Sequence, residues 1–219
     1  DQTNLDPSIK PDKIKNFIRD AVDYQFRSVA IMPCWVPSAK DIVDNSSTTV
    51  VAAIGYPLGT CTTESKVAET LWAIQNGPSD LEIDMVMNVP LLKSGLYKAV
   101  KQDITSVIEA AGDHVVKVII EVPILTTEEI VIASMLAEEA GADFVKTSTG
   151  FKPFKGSRPT TVEDIEIIKS AVGNQMKIKA AGGIRTLSQA LRIIKAGADR
   201  IGTSSGIPII EAYRVFSAN

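Results

Sequence analysis

A single alternation runs the length of this chain. Short β-rich runs occur at SVAIMP (28–33), TVVAAIGYP (49–57), LEIDMVMNV (81–89), HVVKVIIEV (114–122), DFVKTST (143–149), MKIKAAGG (176–183) and DRIGTSS (199–205). Stretches with helical periodicity lie between them. In ESKVAETLWAIQNG (64–77), Val67, Leu71 and Ile74 recur at helical spacing. In TTEEIVIASMLAEEAG (126–141), Thr126 or Thr127 can cap the helix start, acids follow in the first turn, and Gly141 stands where a left-handed terminator belongs. TLSQALRIIKAG (186–197) ends the same way at Gly197. Strands that alternate with helices and read as near-continuous apolar runs imply a parallel sheet covered by helices.

The alternation also repeats. AGADFVKTS (140–148) returns as AGADRIGTS (196–204), an offset of 56 residues, or two units of 28. Each copy is a helix end, a glycine turn and a buried strand. With an eighth strand at residues 1–3, the chain holds eight βα units. Eight units in 219 residues predict a (β/α)8 TIM barrel, with residues 1–219 as a single domain. The competing arrangement is an open doubly wound sheet. No G-x-G-x-x-G follows the first strand, which disfavours that sheet's usual nucleotide site.

Composition removes several function classes. At 45% hydrophobic and 22% charged, the chain has the make-up of a packed domain. A net charge of −3 argues against a nucleic-acid binder. Two cysteines are too few for a disulfide framework or a four-cysteine zinc site, and a lone His114 does not suit a histidine-rich metal centre. No apolar run approaches the ~18 residues that span a bilayer. The polar opening DQTNLDPSIKPDK does not read as a signal peptide. These features lead us to expect a cytoplasmic protein with no membrane partner.

Catalytic groups of a barrel sit at the C-terminal ends of its strands, so charged residues inside the apolar runs are the ones to weigh. They are Asp84 in LEIDMVMN, Lys117 in VVKVIIE, Lys146 in DFVKTST and Lys179 in KIKAAGG. Burying a charge is costly unless it is paired. Any one of these could be a structural ion pair, but Lys146 and Lys179 fall on adjacent strands. Two neighbouring ammonium groups disfavour each other's charge, and burial adds to the effect. A lysine so depressed becomes a neutral amine, able to attack a carbonyl and form a Schiff base, with Asp84 shuttling protons. Two glycine-rich turns, AAGGIRT (180–186) and GTSSG (202–206), follow the seventh and eighth strands, the usual phosphate site of this fold. Ser204 and Ser205 can add hydroxyl donors there and Arg185 a charge. His114 reads as structural at the opposite face. Cys34 and Cys61 read as small semi-buried residues, Trp35 and Trp72 as packing residues, and KPFKGSR (152–158) as a loop bordering the site.

Five motifs then carry a resemblance. VKTSTGF (145–151), KAAGGIRT (179–186), EIDMVMN (82–88), VKVIIE (116–121) and RIGTSSG (200–206) closely resemble the deoxyribose-phosphate aldolase family, in order and with matching spacing over nearly the whole chain. The resemblance implies a class I aldolase on a TIM barrel. It would cleave 2-deoxyribose 5-phosphate reversibly into acetaldehyde and glyceraldehyde 3-phosphate, with no metal and no other cofactor, as a homodimer or homotetramer. It makes Lys146 the Schiff-base lysine, Lys179 the second lysine that perturbs it, and Asp84 the acid of the proton relay. Lys117 becomes a further site lysine. Gly150, Gly182, Gly183, Gly202, Ser204 and Ser205 match phosphate-loop positions, with Thr149 and Leu5 near the substrate. Departures are Gln2 and Asp6 in DQTNLDP, where many members read D-H-T-x-L-K-P. Ala30 stands where some carry Cys. Phe151 stands where some place a phosphate-contacting Lys, with Lys152 adjacent. The chain ends at YRVFSAN, so no tail tyrosine is carried over. Two alternatives stay open: a Schiff-base barrel aldolase for another sugar phosphate, and a catalytically silent barrel that binds one.

Overall fold

The computed structural model describes residues 1–151 and 158–217. Eight parallel strands form one sheet in sequence order. They are β1 (Gln2–Asn4), β2 (Ser28–Ile31), β3 (Thr49–Ile54), β4 (Glu82–Val86), β5 (Val116–Ile119), β6 (Phe144–Lys146), β7 (Lys177–Ala181) and β8 (Arg200–Gly202). A parallel bridge between Gln2 and Thr203 closes the last gap. Thr3 N–H donates to Thr203 O at 2.9 Å and Thr203 N–H to Asp1 O at 3.1 Å. The helices are α1 (Pro11–Asp23), α2 (Val36–Val43), α3 (Thr63–Asn76), the short α4 (Val89–Lys93), α5 (Tyr97–Ala111), α6 (Thr127–Glu139), α7 (Val162–Ala171), α8 (Leu187–Ala196) and α9 (Gly206–Ser217). The result is the expected (β/α)8 barrel.

Local chemistry starts and stops these helices. Thr126, Thr161 and Thr186 each close a capping box, with Glu129, Asp164 and Gln189 respectively. Gly141 and Gly197 take the left-handed turn expected of them, at φ 91° and 117°. The strands ran shorter than their apolar stretches: LEIDMVMNV gives only Glu82–Val86, because Val89 already belongs to α4.

The pleat sorts side chains to two faces. Outward residues such as Ile83, Met85, Val116, Val118, Val145 and Ile178 pack with Ile14, Ile18, Ile104 and Ile165 of the helices in one apolar layer. Full burial of such a side chain contributes about 1.5–3 kcal/mol. The alternate positions Glu82, Asp84, Lys117, Lys146 and Lys179 are also buried but lie outside that layer, and they face one another inside the barrel. The barrel interior is therefore ionic where its outer wall is oily.

Several sequence expectations are revised. Cys34 and Cys61 are exposed: Cys34 sits in a single 3-10 turn of helix, Pro33–Trp35, after β2, and Cys61 in the loop between β3 and α3. Trp35 packs against the core, but Trp72 is 41% exposed on α3. The face that α3 buries is Lys66, Thr70 and Ala73, while Leu71 is 51% exposed. Burying Lys66 is possible because its Nζ donates to Asp103 Oδ2 of α5 at 2.5 Å, and Asp103 also accepts from Thr63 Oγ1 at 2.8 Å. Of KPFKGSR, only Arg158 lies within the described residues; it pairs with Asp164.

Candidate active site

Four strands bring the charged groups together. The sheet register sets Asp84 beside Lys117 and Lys146 beside Lys179. Across the interior, Lys146 Nζ donates to Asp84 Oδ2 at 2.6 Å and Lys179 Nζ to the same oxygen at 2.8 Å. Lys179 Nζ also lies 2.6 Å from Asp1 Oδ2. Lys117 Nζ lies 3.2 Å from Asp84 Oδ1 and 2.6 Å from Glu82 Oε2, as ion contacts rather than aligned hydrogen bonds. Asp84, Lys117, Lys146 and Lys179 are each at most 2% exposed.

Burial and charge act against each other here. Burial would raise the Asp84 carboxyl, but Lys146, Lys179 and Lys117 outweigh it and hold Asp84 well below the usual carboxylate range. Burial pushes Lys146 down; Asp84 opposes that and Lys179 reinforces it, leaving the amine at about 8. At pH 7 such an amine is neutral in about one molecule in ten, against about one in three thousand at the ordinary lysine value. The charged trio thus produces an available nucleophile without removing it from its carboxylate.

Lys146 reaches a mouth cavity of about 430 Å³, whose walls include Leu5, Asp6, Thr149 and Phe151. Gly150, Gly182, Gly183, Arg185, Gly202 and Ser204 line it too, so both glycine-rich turns share a cavity with Lys146. Lys117 and Ser205 do not line it. Lys117 lies beside Asp84 at 0% exposure, which makes it a support of the carboxylate rather than a substrate contact. Ser205 instead starts α9, its carbonyl accepting from Ile209 N–H at 3.3 Å. Two glycines answer to packing. A Cβ on Gly183, at φ 80°, would fall 2.6 Å from Pro159 Cβ, and one on Gly202 would fall 3.1 Å from Lys179 Cε. Gln2 Oε1 accepts the Gly206 N–H at the start of α9 at 3.1 Å. His114 Nδ1 lies 2.8 Å from Leu81 O, at the turn into β5. Among the described residues, no three His, Cys, Asp or Glu side chains are grouped to hold a metal ion.

Sequence reasoning missed two groups at this mouth. Glu121 sits buried in the left-handed region at φ 62°. Its Oε1 accepts from Ser148 Oγ at 2.8 Å and its Oε2 from Thr149 N–H at 3.1 Å, so it holds the turn that follows Lys146. The available signal was an acid closing the apolar run VKVIIE. Tyr56 lines the cavity, and its hydroxyl donates to Thr149 O at 3.4 Å. Burial, aided by Glu121, pushes that phenol up to about 12, so it stays protonated. Nothing in GYP distinguishes such a tyrosine from a packing residue.

Fold and site together define a barrel enzyme. The model of the DeoC/LacD family of aldolases matches residues 1–211, and the chain belongs to that family. It is 45% identical over 211 residues to a deoxyribose-phosphate aldolase of Streptococcus pneumoniae strain P1031, covering 96% of this chain and 93% of that one. It is 45% identical over 216 residues to a deoxyribose-phosphate aldolase of Thermoanaerobacter sp. strain X514, covering 97% and 94%. Among solved structures, the aldolase QR15 superposes with a TM-score of 0.92 at 39% identity over 100% of this chain and 95% of that one. The tetrameric deoxyribose phosphate aldolase of Aeropyrum pernix superposes with a TM-score of 0.87 at 29% identity, covering 99% and 89%.

Proposed function

We propose that this aldolase acts on 2-deoxyribose 5-phosphate through a Schiff base on Lys146. The observation that carries the reading is Lys146 Nζ, part-neutral at the floor of the mouth cavity and 2.6 Å from Asp84. In this reading the neutral amine attacks C1 of the open-chain aldehyde, and loss of water gives an iminium. Removal of the C3 hydroxyl proton breaks the C2–C3 bond, with its electron pair passing into the iminium to leave an enamine. Glyceraldehyde 3-phosphate departs. Protonation at C2 and addition of water then release acetaldehyde and restore the amine. Asp84 and Lys179 move the protons through the shared Oδ2, an anion flanked by two donors.

The glycine-lined wall with Ser204 and Arg185 holds the phosphate, at the mouth end of β7 and β8. The chain acts as one domain over residues 1–219 and needs no metal. We read it as a cytoplasmic homodimer or homotetramer; among the described residues no helix is long and apolar enough to cross a membrane. Reduction with borohydride in the presence of acetaldehyde, followed by peptide mass spectrometry, tests the chemistry and the residue at once. We expect a two-carbon addition at Lys146. An adduct at Lys179 would reverse the assignment, and no adduct would leave a silent barrel.

A further inference from the structure

Beneath the nucleophile the barrel holds a second charged layer that the reaction does not touch. Glu82 lies two residues before Asp84 on β4 and faces the same interior. Its Oε2 is 2.6 Å from Lys117 Nζ and is also paired with Arg200 of β8, while its Oε1 meets Arg27 at 3.3 Å. Arg27 is 58% exposed and so contributes little. Phe144 of β6 forms the remaining wall, with Arg200 Cζ 4.9 Å, Lys177 Nζ 5.6 Å and Lys117 Nζ 5.7 Å from its ring centre. Lys117 therefore has two carboxylates, one beside it and one below. Asp84 Oδ1, beside it, is 3.2 Å away, but Asp84 is already shared with Lys146 and Lys179. Among the described residues, Glu82 is the anion closest to Lys117.

We propose that Glu82 is a positioning residue for the aldolase reaction: pairing with Lys117 from beneath, it keeps that lysine an ammonium aimed at Asp84, and so controls the protonation of Lys146 without meeting substrate. The physical argument follows the charges. Burial favours neutral Lys117, and Glu82 and Asp84 resist that. Without Glu82, Lys117 loses its nearer anion and gives up its proton. Asp84 is then left with two cations instead of three, so its charge bears more fully on Lys146 and holds that amine protonated. Lys117 also ceases to repel charge on Lys146. Both effects push Lys146 toward ammonium. A bare loss of negative field has the opposite sign, because removing an anion favours the neutral amine. The direction of the shift separates the two.

The inference rests on Lys146 being the Schiff-base lysine, and the experiment tests each separately. The rate of acetaldehyde trapping by borohydride is measured against pH for the parent, Glu82→Gln and Glu82→Asp, with the labelled residue located by mass spectrometry. We expect the limb to move up by about one pH unit in Glu82→Gln, a fall of about tenfold in trapping rate below it. Glu82→Asp, which keeps the charge, should return most of the shift. A limb that stays in place or moves down in Glu82→Gln overturns the role of Glu82. An adduct elsewhere in the parent overturns the reading of Lys146 instead. Should Glu82→Gln fail to fold, the parent enzyme with 13C-labelled lysine decides. Its Lys117 resonance, assigned by its loss in Lys117→Met, should stay that of an ammonium while Lys146 titrates, and a neutral Lys117 refutes the proposal.

Discussion

Lys146 and Lys179 compete for one carboxylate oxygen, and that competition gives a signed prediction. Lys179→Leu removes a cation that disfavours charge on Lys146. It leaves Asp84 Oδ2 to Lys146 alone and strips Asp1 of its lysine partner. All three changes favour the ammonium form of Lys146, so its pKa should rise above about 8 by a unit or more, each unit being ~1.4 kcal/mol. The check is the pH profile of kcat/KM: activity at neutral pH falls and the limb moves up. An unchanged profile would show that Lys179 does not tune the nucleophile. The two lysines and Asp84 were legible as residues because a charge inside an apolar strand needs a reason. Glu82 carried the same signal two residues earlier in EIDMV, but the sequence alone does not say that its partners come from β5 and β8. Glu121 left a trace as the acid that closes VKVIIE, but Tyr56 acts through a contact between loops, for which a linear pattern holds no record.

At the scale of elements, the mouth loops divide between support and binding. Gly183 is held as glycine by its positive φ and by Pro159, and a side chain at Gly202 would press on Lys179, so a bulky residue at either would disturb its packing before it reported on an anion. Ser204 is a cleaner probe. It is exposed on the cavity wall, two residues before α9, where a helix start favours negative charge. Ser204→Asp should therefore fold normally and repel the substrate phosphate. We expect kcat/KM for 2-deoxyribose 5-phosphate to fall about tenfold or more, at least ~1.4 kcal/mol. Unphosphorylated deoxyribose should be a poor substrate of the parent and nearly indifferent to the change. An equal loss on both sugars would mean that this wall holds no phosphate. Elements themselves were read well where local chemistry fixes them, as at Thr126 and Gly141, and poorly where it does not. For α3 the spacing of Val67, Leu71 and Ile74 marked the helix but not the face it buries most deeply: Ile74 packs against the core, Leu71 is exposed, and an ion pair with α5 turns Lys66 inward.

Buried charge is not confined to the barrel interior that serves the chemistry. Between α3 and α5 lies the Lys66–Asp103 pair, with both side chains at most 3% exposed. Neither residue lines the mouth cavity. A buried pair of this kind is weak evidence for stability in itself, because desolvation offsets attraction, but breaking it is expensive. Asp103→Ala leaves an ammonium in the helix layer without its carboxylate and removes the acceptor of Thr63 Oγ1. We expect a loss of about 3–5 kcal/mol, which in a barrel of this size lowers Tm by on the order of ten degrees. Replacing both partners by apolar residues of similar volume, Lys66→Met with Asp103→Leu, removes the orphaned charge along with the pair. Thermal melts of the parent, the single and the double variant decide the matter. The double variant should recover most of the loss. If it melts as low as Asp103→Ala, the pair is needed for its shape and hydrogen bonds, and charge compensation is not what holds α3 against α5.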